Sequence, residues 1–204
     1  MRKLLFGGIM LLVLSGAASS WRHRAVTQTP GVLAPDAPLQ IDLAPHGALL
    51  QRGDTTLTTR ARFTLTARVL SREDYRWDQG ASLVPTDLAL GWGRMSDSAV
   101  LAKLDISQSG RFYYWHAREL PIPAREIETS SANMHLIPAD DDVRRAIDTV
   151  RAGQVVHLEG FLVDARRAGG WHWNTSMTRT DTGDGACELV YVESLAVKGT
   201  GLIK

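Results

Sequence analysis

The sequence predicts an α+β domain built on a mainly antiparallel sheet with a few short helices. Three observations carry this expectation. Residues 60–70, RARFTLTARVL, alternate apolar and polar side chains with the period of a half-buried strand. Further β-favouring runs recur towards the C-terminus, while helical periodicity is confined to short stretches. Strands do not alternate with long helices, which argues against a βαβ sheet. Residues 153–197, where GQVVHLEGFLV feeds a hairpin, suit a small OB-like barrel.

Composition sets the outer bounds. A chain of 204 residues, less a leader and tether, holds one domain with a real core. Hydrophobic content of 44% and charged content of 22% are ordinary for a globular protein. A formal net charge of +1 does not fit a nucleic-acid-coating protein, so no nucleic-acid partner is expected. A single cysteine excludes an internal disulfide.

The chain divides into three parts. Residues 1–24 read as a signal peptide or membrane anchor. Met1, Arg2 and Lys3 form a basic start, residues 4–18 carry no charge, and Gly16, Ala17 and Ala18 supply the small residues a leader peptidase needs. Extended to Trp21, the run reaches the roughly 17–25 residues that cross a bilayer. Trp21 then falls at headgroup level, with Arg22, His23 and Arg24 just beyond. Basic residues there resist translocation, so the favoured reading is a single-pass inner-membrane anchor with the domain in the periplasm. The alternative is release into the periplasm after leader cleavage. No cysteine stands near positions 18–20, which excludes a lipoprotein. Residues 25–54, punctuated by Pro30, Pro35, Pro38 and Pro45, read as a Pro/Gly-rich tether. Residues 55–204 form the single globular domain.

Within it, the residue 60–70 strand leaves an arginine stripe on its polar side, read as a solvated face more readily than as an anion site. Residues 85–91 suggest one turn of helix ending at Gly91. Ser96 suits an N-cap, with Asp97 favourable beside it. Residues 107–110 are turn chemistry leading into FYYWH, a strongly β-favouring strand. IPAREIET starts a short helix after its prolines, and ANMHLIPA reads as a strand. Residues 140–152 hold the best helix: Asp140 caps it, Val143, Ala146, Ile147 and Val150 share a face, and Gly153 ends it. Two short strands joined through Gly169-Gly170 follow, and ELVYVESLAV makes the last strand.

Residues 171–188, WHWNTSMTRTDTGDGACE, hold the densest run of candidate chemistry. Cys187 is a candidate nucleophile, with His116, His135, His157 and His172 available as bases. It opens an apolar run, however, where a buried structural thiol fits better. Asp181, Asp184 and Glu188 invite a metal reading, because hard cations want oxygen ligands on a glycine turn. Gly183 and Gly185 occupy the places where an EF-hand loop needs ligands, so a polar loop explains the same residues. The histidines show neither zinc spacing nor HExxH, although His157 and His172 lie on adjacent predicted strands. There is no GxSxG, P-loop, CxxC or dinucleotide fingerprint, and no cofactor is expected. Tyr113, Trp115, Trp171, Trp173 and Tyr191 supply aromatic surface, of which Trp171 and Trp173 share a strand face. A flat aromatic platform suits a sugar or a peptide, and core packing is the competing explanation.

LVPTDLALGWGRMSDSAVL, ISQSGRFYYW, SANMHLIPA and SMTRTDTGDGACELVYVE together make a longer signature. Over Pro30 to about Glu193 the chain resembles a family of Gram-negative bacterial envelope proteins with one N-terminal apolar segment and no assigned function. The resemblance implies an envelope protein and supplies no activity.

The reading is therefore a membrane-anchored or exported periplasmic binding or interaction module. Its expected face combines Arg111, Asn133, His135, Trp171, Trp173, Arg179 and Asp181, polar groups flanked by apolar strands. The expected partners are the membrane, through residues 1–24, and either another envelope protein or a small ligand. The alternative is an envelope hydrolase that uses Cys187, with His135 as a candidate base, or a metal at Asp181, Asp184 and Glu188. A purely structural assembly subunit is a third possibility.

Overall fold

One long strand threads the whole domain. In the computed structural model, which describes residues 24–43, 47–181, 183 and 185–199, β3 runs from Thr55 to Asp74. The period-two pattern buries Ala61, Phe63, Leu65, Ala67 and Val69 on one face. Twenty residues is far beyond an ordinary strand, and β3 stays paired by changing partners along its length. Its first two thirds pair with β8, Val155–Arg167, and its last third pairs with β4, Thr86–Gly91. Register shifts between Thr59 and Ala61 and between Val69 and Ser71 mark where it bends.

The remaining pairings close a ring. β4 pairs antiparallel with β7, Ser131–Pro138. β7 runs parallel to β10, Glu188–Lys198, which returns antiparallel to β8. The five strands thus close in the order β3-β4-β7-β10-β8, and only the β7–β10 contact is parallel. The result is a sheet-rich, mainly antiparallel domain. Phe63, Leu65, Leu90, Met134, Leu136, Leu158, Leu162 and Val190 belong to its main core cluster. At Gly160 in β8, an added Cβ would stand 2.0 Å from the carbonyl oxygen of Tyr191, so only glycine permits that approach to β10.

Short elements cover the ring. β1, Leu39–Asp42, and β2, Leu49–Arg52, pair with β3. A 3₁₀ turn at Gly93–Ser96 leads into α1, Ser98–Leu101. β5, Asp105–Ser109, and β6, Phe112–His116, form a separate hairpin whose turn places Gly110 and Arg111 at positive φ. α2, Ala124–Thr129, leads into β7. α3, Asp141–Asp148, follows β7 and buries Val143 and Ile147 in the core. β9, His172–Trp173, adds two residues to the edge of β8.

Several local expectations are corrected. Residues 85–91 are not a helical turn but β4, buried at every position between β3 and β7. A strand buried on both faces shows an unbroken apolar run, which carries no period to read. The cap of α1 is Asp97, whose carboxylate accepts from Ala99 N at 2.8 Å; Ser96 instead accepts from Leu33 N and Ala34 N at 3.0 Å. The best helix stops at Asp148, and Arg72 Nη1 takes up the carbonyls of Ile147 and Val150. The cap expected at Asp140 is present, accepting from Val143 N at 2.8 Å.

Residues 25–54, read as a tether, run largely as extended backbone against the sheet where described. Val26 N donates to Ala152 O, Gly31 N to the Asp97 carboxylate and Gly93 N to Ala34 O. The proposed leader or anchor lies outside the described residues, apart from Arg24. Among the described residues, no helix is long and apolar enough to cross a membrane.

Candidate binding cavity beside a buried carboxylate hub

Asp87 is the hub of the polar interior. It sits in β4, opposite His135 in β7, and is fully buried. A buried carboxylate survives only with partners. Arg111 Nη1 donates to its Oδ1 at 2.9 Å, and His135 Nδ1 stands 2.9 Å from its Oδ2, although without the alignment of a good hydrogen bond. The same guanidinium donates to both oxygens of Asp78 and to Val84 O, and lies 3.5 Å from the centroid of the Tyr75 ring. Arg111 N donates to Tyr75 Oη at 3.1 Å, which the positive φ of the β5–β6 turn makes possible. Trp173 closes the hub, with its ring 4.5 Å from that of His135. Burial first, then the charge of Asp87, pushes the Tyr75 phenol up to about 12.

Asn133, two positions before His135 on the same face of β7, ties the hub to the hairpin. Its Nδ2 donates to Arg111 O at 2.9 Å, and its Oδ1 accepts from Gln108 Nε2 at 2.7 Å. The hairpin is thereby held over β7, and a cavity of about 340 Å³ opens between them. Phe112, Tyr113, Tyr114 and Trp115 line it from β6, and Ser131, Ala132 and Asn133 line it from β7. Glu128 and the segment 178–188, including Arg179, Asp181, Cys187 and Glu188, complete the wall.

The chemistry of that wall is uneven. Glu188, 1% exposed, forms an ion pair with Arg179, its Oε1 3.0 Å from an Nε that donates to Thr178 O at 2.8 Å. Its Oε2 has no partner, and neither do Arg179 Nη1 and Nη2 or Gln108 Oε1, all of them buried. Burial, reinforced by Asp181 and opposed by Arg179, pushes the Glu188 carboxyl up to about 7. Asp181 accepts from Ser176 Oγ at 2.7 Å, and the segment is pinned to β10 where Leu189 N donates to Thr175 Oγ1. Burial also raises the Tyr113 phenol to about 12, against its hydrogen bond with Ser131.

The candidate nucleophile and metal ligands take their places in the same wall. Cys187 Sγ lies 3.9 Å from Arg111 O, and burial, then the adjacent Glu188, pushes its thiol up to about 12. It is protonated at neutral pH, and no described contact joins it to a histidine. Glu188 is committed to Arg179 and Asp181 to Ser176, while Asp184 lies outside the described residues. Among the described residues, no cluster of three or more His, Cys, Asp or Glu is placed to hold a metal ion. His157 bonds with Thr66 and Glu159, and His172 stands opposite Arg166, so those two histidines do not face each other.

The seven residues of the expected binding face divide into three groups. Asn133, Arg179 and Asp181 line the cavity. Arg111, His135 and Trp173 surround Asp87 behind it. Trp171 stands apart, stacked against Arg167 at 4.4 Å and edge-on to Trp173. The arginine stripe of β3 is engaged within the protein: Arg60 with Asp164, Arg62 with Glu193, and Arg68 with Ser96 O and Ser98 Oγ. Sequence reasoning missed Asp87, Asp78 and Tyr75. The available signal was a lone acid inside the apolar run LVPTDLAL, which demands a buried cation.

Comparison with protein-family models, with curated proteins and with solved structures finds no match to this chain. The chemistry of the site therefore stands on its own residues.

Proposed function

We propose that this protein is a ligand-binding module of the bacterial cell envelope, and that the cavity between β6 and β7 is its binding site. The carrying observation is the Glu188–Arg179 pair, buried in the cavity wall with one carboxylate oxygen and two guanidinium nitrogens unmatched. Buried polar groups without partners are rare and mark places where a water, ion or ligand completes the set. A cavity of about 340 Å³ with four aromatic residues on one wall is at the small end of ligand sites.

The fold supports the same location. We infer an α+β, OB-like barrel from the closed five-strand order and from α3, which connects the third and fourth strands of the ring. On this reading the barrel comprises β3, β4, β7, β8 and β10, not residues 153–197 alone. Barrels of that type bind ligands on their second and third strands and in the loops after the first and fourth. Here those are β4, β7 and the segments around Asp78 and Arg179. This is an analogy of position and carries no ligand identity.

Residues 1–24 would anchor the chain in the inner membrane, with the domain in the periplasm. The basic start, the uncharged run and Trp21 at its end support that placement. The thiol of Cys187, pushed up to about 12, weighs against the hydrolase alternative, because the thiolate is the nucleophile. Fluorescence titration of the full chain against a library of small polar and aromatic compounds tests the proposal. Binders should quench tryptophan emission, and Trp115→Ala and Arg179→Ala should remove that response. Unchanged binding in both variants would overturn the proposal.

A further inference from the structure

Resting on the reading of this cavity as a ligand site, we infer that its ligand is a small organic cation, a protonated amine bearing an apolar group. Among the described residues, three carboxylates line the cavity, Glu128, Asp181 and Glu188, with one lining cation, Arg179. Of the other arginines nearby, Arg125 offsets Glu128 from outside the lining and Arg111 is committed to the hub. Arg125 stands 3.3 Å from Glu128 and donates to Thr180 O, and the Arg111 guanidinium is held by Asp78 and Asp87. With Arg125 at Glu128 and Arg179 at Glu188, the charge of Asp181 is left over, and an anion entering this wall would add to it. A cation would not.

The aromatic side fits the same partner. Tyr113, Tyr114 and Trp115 follow one another along β6, and electron-rich rings attract an ammonium group while packing against its apolar substituent. The buried Glu188 supplies the anchor. Its Oε2 is an acceptor with no donor in the protein, and an ammonium N–H is the donor that also brings the missing charge. Arg179 pairs with Oε1, which leaves Oε2 as the unmatched oxygen of a residue that lines the cavity.

Protonation gives the inference a second handle. Glu188, pushed up to about 7, must be ionised to hold a cation, so binding weakens as the pH falls through that value. The neighbouring Cys187 and Tyr113 both lie near 12 and stay neutral throughout. Asp181 keeps its hydrogen bond from Ser176.

Nuclear magnetic resonance titration of the full chain with benzylammonium, benzyl alcohol and benzoate, read at the Trp115 indole, tests this directly. The expected order is benzylammonium about tenfold tighter than benzyl alcohol, with benzoate weakest. Benzylammonium affinity should drop roughly tenfold between about pH 8 and about pH 6, while that of benzyl alcohol stays level. Glu188→Gln should abolish the preference. Should that variant fail to fold, the pH series on the unaltered chain carries the same test. Tyr114→Ala, at an exposed ring, should weaken all three probes. If benzyl alcohol or benzoate binds as tightly as benzylammonium, the cation inference falls and the cavity reading stands. If none of the three moves the Trp115 signal, both fall.

Discussion

Arg111 Nη1 lies 2.9 Å from Asp87 Oδ1, joining the tip of the β5–β6 hairpin to β4 in the middle of the sheet. The hairpin contributes one side of the cavity and Asp87 stands behind the other, so this pair sets the distance between them. Arg111 also bridges Asp78, Val84 O and the Tyr75 ring, so one guanidinium gathers three segments. It is a positioning residue, with its donors turned into the protein.

Arg111→Ala should therefore be costly well beyond the loss of one contact. It strands a fully buried carboxylate, and removing one partner of such a pair costs about 3–5 kcal/mol. Arg111→Lys should recover only part of this, because a single ammonium cannot serve Asp78, Asp87 and Val84 O together. Urea unfolding of the three proteins measures both effects, and a near-native midpoint for Arg111→Ala would contradict the hub.

Cys187 should be chemically quiet in the folded protein. With its thiol near 12, iodoacetamide at neutral pH should label the native chain slowly and the urea-unfolded chain fully. Mass spectrometry of the two samples reads the difference. Rapid labelling of the native chain would revive Cys187 as a nucleophile.

Glu188 makes a stability prediction with a definite sign. Its folded value, about 7, lies above the ordinary carboxyl range, so the folded state binds its proton more tightly than the unfolded state. Its contribution to stability is greatest below about pH 4.5, is lost as the pH rises through about 7, and is level above that. The unfolding free energy of the unaltered chain, minus that of Glu188→Gln, should fall over this window. The slope approaches about 1.4 kcal/mol per pH unit. A flat difference would mean that folding leaves the Glu188 carboxyl unshifted, and one that rises with pH would mean that Glu188 is stabilised as a carboxylate.

Much of the sheet was legible, and the reason is periodicity. β3 shows its alternation because one face meets the core and the other meets solvent or arginine partners. α3 announces itself through Asp140 and the spacing of Val143, Ile147 and Val150. β4 was hidden because it is buried on both sides, so Leu88, Ala89 and Leu90 carry no period, and Pro85-Thr86-Asp87 mimics a helix start. The parallel β7–β10 contact that closes the ring has no local signal, since its strands are separated by a helix and two further strands. The packing of residues 24–43 on the rest of the domain was equally silent: backbone amides meet Ser96 and Asp97, and any sequence carries amides.

The candidate site was legible in its residues more than in its arrangement. Asn133, Arg179 and Asp181 stood out as polar groups among apolar strands, and they line the cavity. Arg111 and His135 stood out for the same reason, yet face inward to Asp87. Glu188 was noticed as a metal ligand, while its role beside Arg179 depends on a three-dimensional contact across residues 180–187.

Residue-resolved chemical-shift mapping of the full chain, titrated with a pooled set of small amines, tests the central claim most directly. The account predicts that perturbations gather on residues 112–115, Asn133, Arg179 and Glu188, around the one cavity. Perturbations gathered instead on Trp171 and Arg167, or spread with no centre, would contradict it.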